Sequence, residues 1–566
     1  MKRMILLLLS LSLLAGMAQA DPYRGTKSFD GSAILGPASG PDFQSYYFNN
    51  HRVLSADTLY TVRGQVYFEE GASLTIPAGT LILGQTASAI IIKQGAQIWC
   101  NGTLDEPVVF TSSKAPGQRA AGDWGGLVIL GRAPINLDPE NTQIEGGIIE
   151  GTYGGDDPLD NSGRVVYTRF EFGGYRFEEG NEINGLTMGG VGAGTEIHHV
   201  QVSFANDDSF EWFGGTVDVH HLVAFGTLDD CFDTDDGYTG RKQFLFGVKL
   251  PDVYDTEGQT NGFEADGRHG LEPFSKAIVS NVTLIGPERI DALVGNLPVG
   301  NTHQYCGVLR ENTHMSIFNS VLVGFVRGWS LRDGSIQAAQ DDILKIRNTS
   351  VAASYTGHPG GSAHDTGRWA DIETWFGTPA YNNLGVAQRL PSTVGLTDLS
   401  DLTNPQPQPL LFSELDGTAD FSDGYLAPLA GRYTFEIVDY RGAFVPDLPM
   451  NQQWTAGWTN FDPQNTQYLV VAVEDAGLPL AAASVDIYPN PFNPQTTLRF
   501  NVPRAGSVSL RIYDVAGRVV TELYNGDLAS GQFTTVFDGA NLASGTYFAR
   551  LQGSGFKAVQ KMQLVR

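Results

Sequence analysis

Between residues 198 and 264 the side chains best suited to chemistry recur at a fixed interval. His198-His199 is answered by His220-His221, Asp207-Asp208 by Asp229-Asp230, and Glu211 by Asp233, each 22 residues on. Glu264 follows Asp233 after 31 residues, and Asp235 and Asp236 thicken the cluster. Carboxylates at this density serve two chemistries. They can surround a hard cation, for which calcium with its roughly six to eight oxygen ligands is the natural choice outside a cell. They can also supply the general acid and general base that cleave a glycosidic bond.

The elements that must position them repeat as well. Phe210, Phe232 and Phe263 keep the same intervals, and GASLTIPAGT from Gly71 returns in weaker form as GAQIWCNGT from Gly95, 24 residues later. Strand-sized apolar pieces separated by turns at this period fit a solenoid in which each coil buries its inner side chains against its neighbours. The expected fold is all-β, a right-handed parallel β-helix followed by a small β-sandwich. With the three phenylalanines inward, alternation places Glu211, Asp233 and Glu264 in one outer column with Asp235 on the same side. Carboxylates on adjacent coils stand about 4.8 Å apart at the backbone. At that distance like charges repel by about 1 kcal/mol in water and by several at an effective dielectric near 20. Glu211, Asp233, Asp235 and Glu264 are therefore the expected cation ligands, with calcium as the expected ion. The same alternation sends His198 and His220 one way and His199 and His221 the other. Two imidazoles alone are an incomplete transition-metal site, so the histidines read as a side-chain ladder.

Composition narrows the partners. The chain has 566 residues, 68 of them glycine, and a net charge of −26. From Ser484 onward Lys and Arg number 8 against 5 Asp and Glu, so the whole negative excess lies earlier in the chain. Nucleic acid and anionic lipid would be repelled by such a surface, whereas cations are drawn to it. Three cysteines, Cys100, Cys231 and Cys306, make no disulfide framework. They are too scattered along the coils to pair.

Both ends carry addresses. Lys2 and Arg3 precede an apolar run from Met4 to Leu14, and Ala18-Gln19-Ala20 supplies small residues for signal peptidase, so residues 1 to 20 read as a signal peptide and the mature chain is expected to start at Asp21. No later stretch reaches the roughly 18 uninterrupted apolar residues of a membrane helix. At the other end, YPNPFNPQTTLRF from Tyr488, VSLRIYDVAGRVV from Val508 and SGTYFARLQGSGFKAVQKMQLVR from Ser544 resemble the C-terminal sorting domain of type IX (Por) secretion cargo and the related Ig-like domain of flagellar hook-capping proteins. The resemblance implies export, to the medium or to the outer cell surface of a Gram-negative-type bacterium, through contact with secretion machinery.

Residues 21 to 52 are expected to cap the first coil, because an open solenoid end exposes unpaired strand edges. The β-helix is expected over 53 to 471, with an irregular excursion near 357 to 412, then a linker over 472 to 483 and the Ig-like sorting domain over 484 to 566. GDWGGLVILG from Gly122 and MSIFNSVLVGF from Met315 resemble strands of pectate-lyase-like helices. NEINGLTMGGVGAGT from Asn181, DDSFEWFGGTV from Asp207 and YRGAF from Tyr440 resemble a family of large uncharacterised secreted right-handed β-helix proteins, many fused to such sorting domains. That resemblance implies a fold and a location and carries no activity.

One enzymatic resemblance exists. Asn206-Asp207-Asp208, followed by Asp229-Asp230-Cys231, is similar to the N-x-D and D-D-C spacing of polygalacturonase-type glycoside hydrolases. It implies Asp207, Asp208, Asp229, Asp230 and His269 as the catalytic set, with Lys345-Ile346-Arg347 in the place of a basic motif. The sequence departs from that pattern. His269 stands eight residues beyond Asn261, which occupies the aligned position, and the basic motif is reversed. Among the tryptophans, Trp212 shares the parity of Phe210 and is expected inside, while Trp369 and Trp375, in the excursion, are expected to be exposed for sugar stacking. The sequence as a whole favours an exported, non-catalytic β-helix that binds an extracellular glycan or surface protein. The alternative is a secreted polysaccharide hydrolase or lyase.

Overall fold

The computed structural model describes residues 31–36, 44–178, 181–256, 258–353, 363–468, 483–503, 506–528, 531–553 and 556–565. The expected signal peptide and, apart from Ala483, the expected linker lie outside the described residues. The described residues form two compact units, one ending at Tyr468 and the other lying within residues 483–565.

The first unit is a parallel β-helix. One sheet of 10 strands runs from Ser45–Phe48 to Arg327–Leu331, and a second of 16 strands runs from Gly31–Leu35 to Ser350–Ala353. Neighbouring coils pair in register and in parallel. Phe210, Phe232 and Phe263 are cross-strand partners, as are Glu211, Asp233 and Glu264. The strands begin earlier than expected. Ser45–Phe48 and His51–Val53 already pair with the coil that follows them, so the described part of the expected cap belongs to the first coil.

Aromatic stacking fills the interior. Phe210, Phe232, Phe263 and Trp329 follow one another with ring centroids 5.6, 5.6 and 6.4 Å apart. Gly307 lies between Phe263 and Trp329 in the register, and a Cβ there would sit 2.4 Å from the Trp329 ring. Glycine is what lets the larger ring reach across that coil. Trp212 is fully buried, as its parity demands.

The 16-stranded sheet turns a corner at one residue per coil. Tyr167, His199, His221, Phe244, Asn281 and Asn319 all adopt positive φ, between 43° and 58°. Each is skipped in the pairing between coils. A left-handed residue interrupts the period-2 alternation of a strand, and the histidine expectation fails for that reason. His198, His199, His220 and His221 are all half-buried on one outer corner rather than on opposite faces.

Beyond Ala353 the chain leaves the coils. The described residues there hold short helices, including Ile372–Phe376, and an antiparallel pair, Leu396–Asp398 with Gln406–Pro409. Trp369 and Trp375 contradict the expectation of exposure. Both are 8% exposed, stand 5.4 Å apart and join the main core cluster with Ile372 and Phe376. An apolar end of the solenoid needs covering, and these rings cover it. The following segment, to Tyr468, carries no strand and runs back along the outer corner as a strap. Gln201 and Gln243 donate side-chain hydrogen bonds to the backbone carbonyls of Asn460 and Glu436, and Asn281 donates to that of Tyr440.

The second unit holds antiparallel sheets of three and four strands between Ser484–Tyr488 and Phe556–Leu564. Alternate residues Leu498, Phe500 and Val502 of one sheet and Val508, Leu510 and Ile512 of the other share its core.

Candidate functional site

A chain of side-chain oxygens leads into the site from one coil to the next. Asn184 Oδ1 accepts the backbone N–H of Asp208 at 3.2 Å, Asp208 Oδ1 accepts that of Asp230 at 2.7 Å, Asp230 Oδ1 accepts that of Asn261, and Asn261 Oδ1 accepts that of Tyr305 at 3.2 Å. Asparagine ends this ladder and aspartate occupies its middle. An amide would present N–H groups on its other side, whereas Asp208 and Asp230 present a second carboxylate oxygen. The sequence comparison that placed Asn261 against an expected histidine marked the position of this ladder without revealing its role.

Around the ladder the carboxylates converge. Oxygens of Asp207, Asp208 and Asp229 lie within 4.8 Å of one another, and so do those of Asp208, Glu211 and Asp233. Asp208 belongs to both groups. Calcium–oxygen bonds of about 2.4 Å allow ligands of a shared ion to stand up to about 4.8 Å apart, so each group has the span of a partial calcium shell. Asn184 Nδ2 donates to Glu145 at 3.1 Å and also to Glu211. Glu145 comes from a non-repeating loop whose Ile135, Ile144, Ile148 and Tyr153 pack on the outer face of the coils. Period alone gave no signal for Glu145.

The four expected ligands divide in two. Glu264 pairs with Arg310 at 3.0 Å and Asp235 with Arg268 at 2.8 Å, while the same arginines hold Asp266 and Asp236. Glu211 and Asp233 remain, and Asp208 joins them. Among the described residues no Lys or Arg forms an ion pair with Asp207, Asp208, Glu211, Asp229 or Asp233. Burial first, and then mutual repulsion, pushes all five carboxyl groups well above the usual carboxylate range. Asp235 and Glu264 are raised by burial less strongly, to about 7 and about 8, because the arginines oppose the shift.

The residues of the hydrolase resemblance are only partly assembled. Asp207, Asp208 and Asp229 are close, but Asp230 is 1% exposed with its carboxylate turned to Asn261. His269 lies in the short turn Arg268–Gly270, and its side chain is outside the described residues. Lys345 and Arg347 sit by the other sheet, where Lys345 pairs with Asp423 and Arg347 covers the Tyr381 ring. Cys100, Cys231 and Cys306 are buried and free. No helix among the described residues is long and apolar enough to cross a membrane.

Comparison with known proteins agrees with this architecture. Residues 47–376 match the pectate-lyase-like β-helix domain, and residues 486–565 match the secretion system C-terminal sorting domain. No curated protein matches the chain. A sorting domain of this kind engages secretion machinery and directs its cargo out of the cell or onto its surface. The chain belongs to the pectate-lyase-like β-helix family and is an exported member of it, secreted or held at the outer cell surface, with a C-terminal sorting domain.

Proposed function

We propose that this protein binds rather than cleaves, and that its acidic cluster holds calcium through which it engages an anionic extracellular glycan or surface partner. The observation that carries the reading is Asp208. It is 6% exposed, it stands in two three-carboxylate groups at once, and no Lys or Arg among the described residues forms an ion pair with either group, the buried Lys249 beside Asp229 donating instead to the backbone carbonyls of Thr227 and Asp229. A buried cluster of this kind must hold protons or a cation. At neutral pH outside a cell, calcium is abundant and protons are not. The cation also gives a cluster of negative charge a means of bridging to a negative polymer.

The arrangement of Asp230 supports binding over hydrolysis. A general acid must reach a leaving-group oxygen, and the Asp230 carboxylate is enclosed and committed to the backbone of the next coil. The test is incubation with acidic polysaccharides in calcium and in chelator. Calcium-dependent retention of polymer without new reducing ends or unsaturated products is the expected result. Product release that stops in Asp230→Asn would establish the enzyme instead, since loss of a general acid costs about two or more orders of magnitude in rate.

A further inference from the structure

The outer corner where the 16-stranded sheet turns carries a second cluster, remote in character from the carboxylates. His198 Nδ1 lies 2.9 Å from His199 Nδ1, and one coil on His220 Nδ1 lies 2.7 Å from His221 Nδ1. Along the axis the rings stack in two columns, His198 on His220 at 4.7 Å and His199 on His221 at 4.4 Å. Within each coil the two rings are nearly perpendicular, at 83° and 80°. Nitrogens of His199, His220 and His221 all fall within 4.8 Å of one another.

We infer that this corner is a transition-metal site of the imidazole type, in which His199, His220 and His221 ligate a borderline divalent ion such as copper or zinc and His198 completes the set. Imidazole suits those ions and carboxylate oxygen suits calcium, so the two clusters select different metals. Metal–nitrogen bonds of about 2.0 to 2.1 Å put neighbouring ligands of a four-nitrogen ion about 3 Å apart. The pairs within each coil already have that spacing. Glu196 accepts from His198 Nε2 at 3.0 Å when that nitrogen carries the proton, which leaves Nδ1 as the ligand and fixes the ring.

The strap supplies the surroundings. Tyr433 stacks on His220 at 4.8 Å, Trp454 meets His221 edge-on at 5.0 Å and Trp458 meets His199 at 5.7 Å.

The neighbouring coil provides a conservative control. Gln243 pairs with His220 in the register, and Phe244 takes the same left-handed corner position as His221. The double variant His220→Gln/His221→Phe copies that coil, and His199→Phe places at its corner a ring like those of Tyr167 and Phe244. We expect copper(II) bound to the full chain to give an electron paramagnetic resonance spectrum with coupling to three or four nitrogens, and zinc to raise Tm. Both responses should fall at least tenfold in apparent affinity in each variant while the response to calcium persists. A copper spectrum without nitrogen coupling, or wild-type binding in either folded variant, would overturn the assignment. Should the double variant fail to fold, His199→Phe alone decides.

Discussion

Two columns of side chains rise from the same three strands, Phe210–Phe213, Phe232–Asp235 and Phe263–Ala265. They share one register and differ only in which face they occupy. Inside, Phe210, Phe232 and Phe263 stack ring on ring, and repetition strengthens the core because each ring removes apolar surface of the next from water. Outside, Glu211, Asp233 and Glu264 repeat just as faithfully, and there repetition sets like charges against one another. The solenoid makes any column of identical residues cooperative, favourably for rings and unfavourably for carboxylates. At Glu264 and Asp235 arginines relieve the outer column. Asp208, Glu211 and Asp233 form no such pair among the described residues, and their relief is what we propose a bound cation supplies.

The largest effect should come from breaking the inner column. Phe232→Ala removes the middle ring of a fully buried stack and should cost about 3 to 5 kcal/mol, as truncation of a core phenylalanine does. Chemical denaturation of residues 21 to 483 measures it. Calcium should leave most of that loss in place, because the cavity lies on the other face.

Next is the response of the outer column to calcium. Binding to the native state alone stabilises by about 2.7 kcal/mol at a hundredfold excess over Kd, so Tm should rise in calcium and fall in chelator. Asp233→Asn should shrink the calcium shift. In chelator at pH 8 the same substitution should raise Tm, by removing one of the repelling charges.

A pH series sharpens the same point. A carboxyl whose folded pKa is raised holds its proton more tightly in the folded state, so its contribution to stability is complete below the unfolded pKa near 4 and is lost as pH rises through the folded value. With Asp235 at about 7, Glu264 at about 8 and the remaining cluster raised in the same direction, the chelated protein should lose stability between pH 5 and about 8. Calcium should flatten that slope. A smaller effect is expected of Trp369→Phe, which trims one ring of the end cover and should cost about 1 to 2 kcal/mol without altering polymer retention. Loss of polymer retention would return Trp369 to the binding surface.

The 22-residue interval was enough to place Glu211 beside Asp233, because a solenoid converts sequence period directly into spatial register. The 31-residue interval to Glu264 was readable for the same reason, the extra length being a loop outside the coil. What lacked period stayed hidden. Glu145 reaches the site from a loop held by its own apolar contacts, and the strap over the histidine corner has no repeat and no strand. The histidines were misread for a different reason, since alternation was carried through His199 and His221, where a left-handed residue turns the strand. Trp369 and Trp375 looked free because irregular sequence suggests surface, yet the open end of a solenoid core is where large rings are most needed. Arg268 and Arg310 took two of the four expected ligands, a pairing across coils that no local spacing announces.

Direct calcium titration of residues 21 to 483 by calorimetry, alongside Glu211→Gln/Asp233→Asn, tests the central claim most closely. We expect saturable binding to the wild-type protein with proton release at pH 6, because the raised carboxyl groups must give up protons to take the ion, and at least a tenfold weaker response in the double variant. Equal binding by the two proteins, or no heat and no proton release in the wild type, would contradict it.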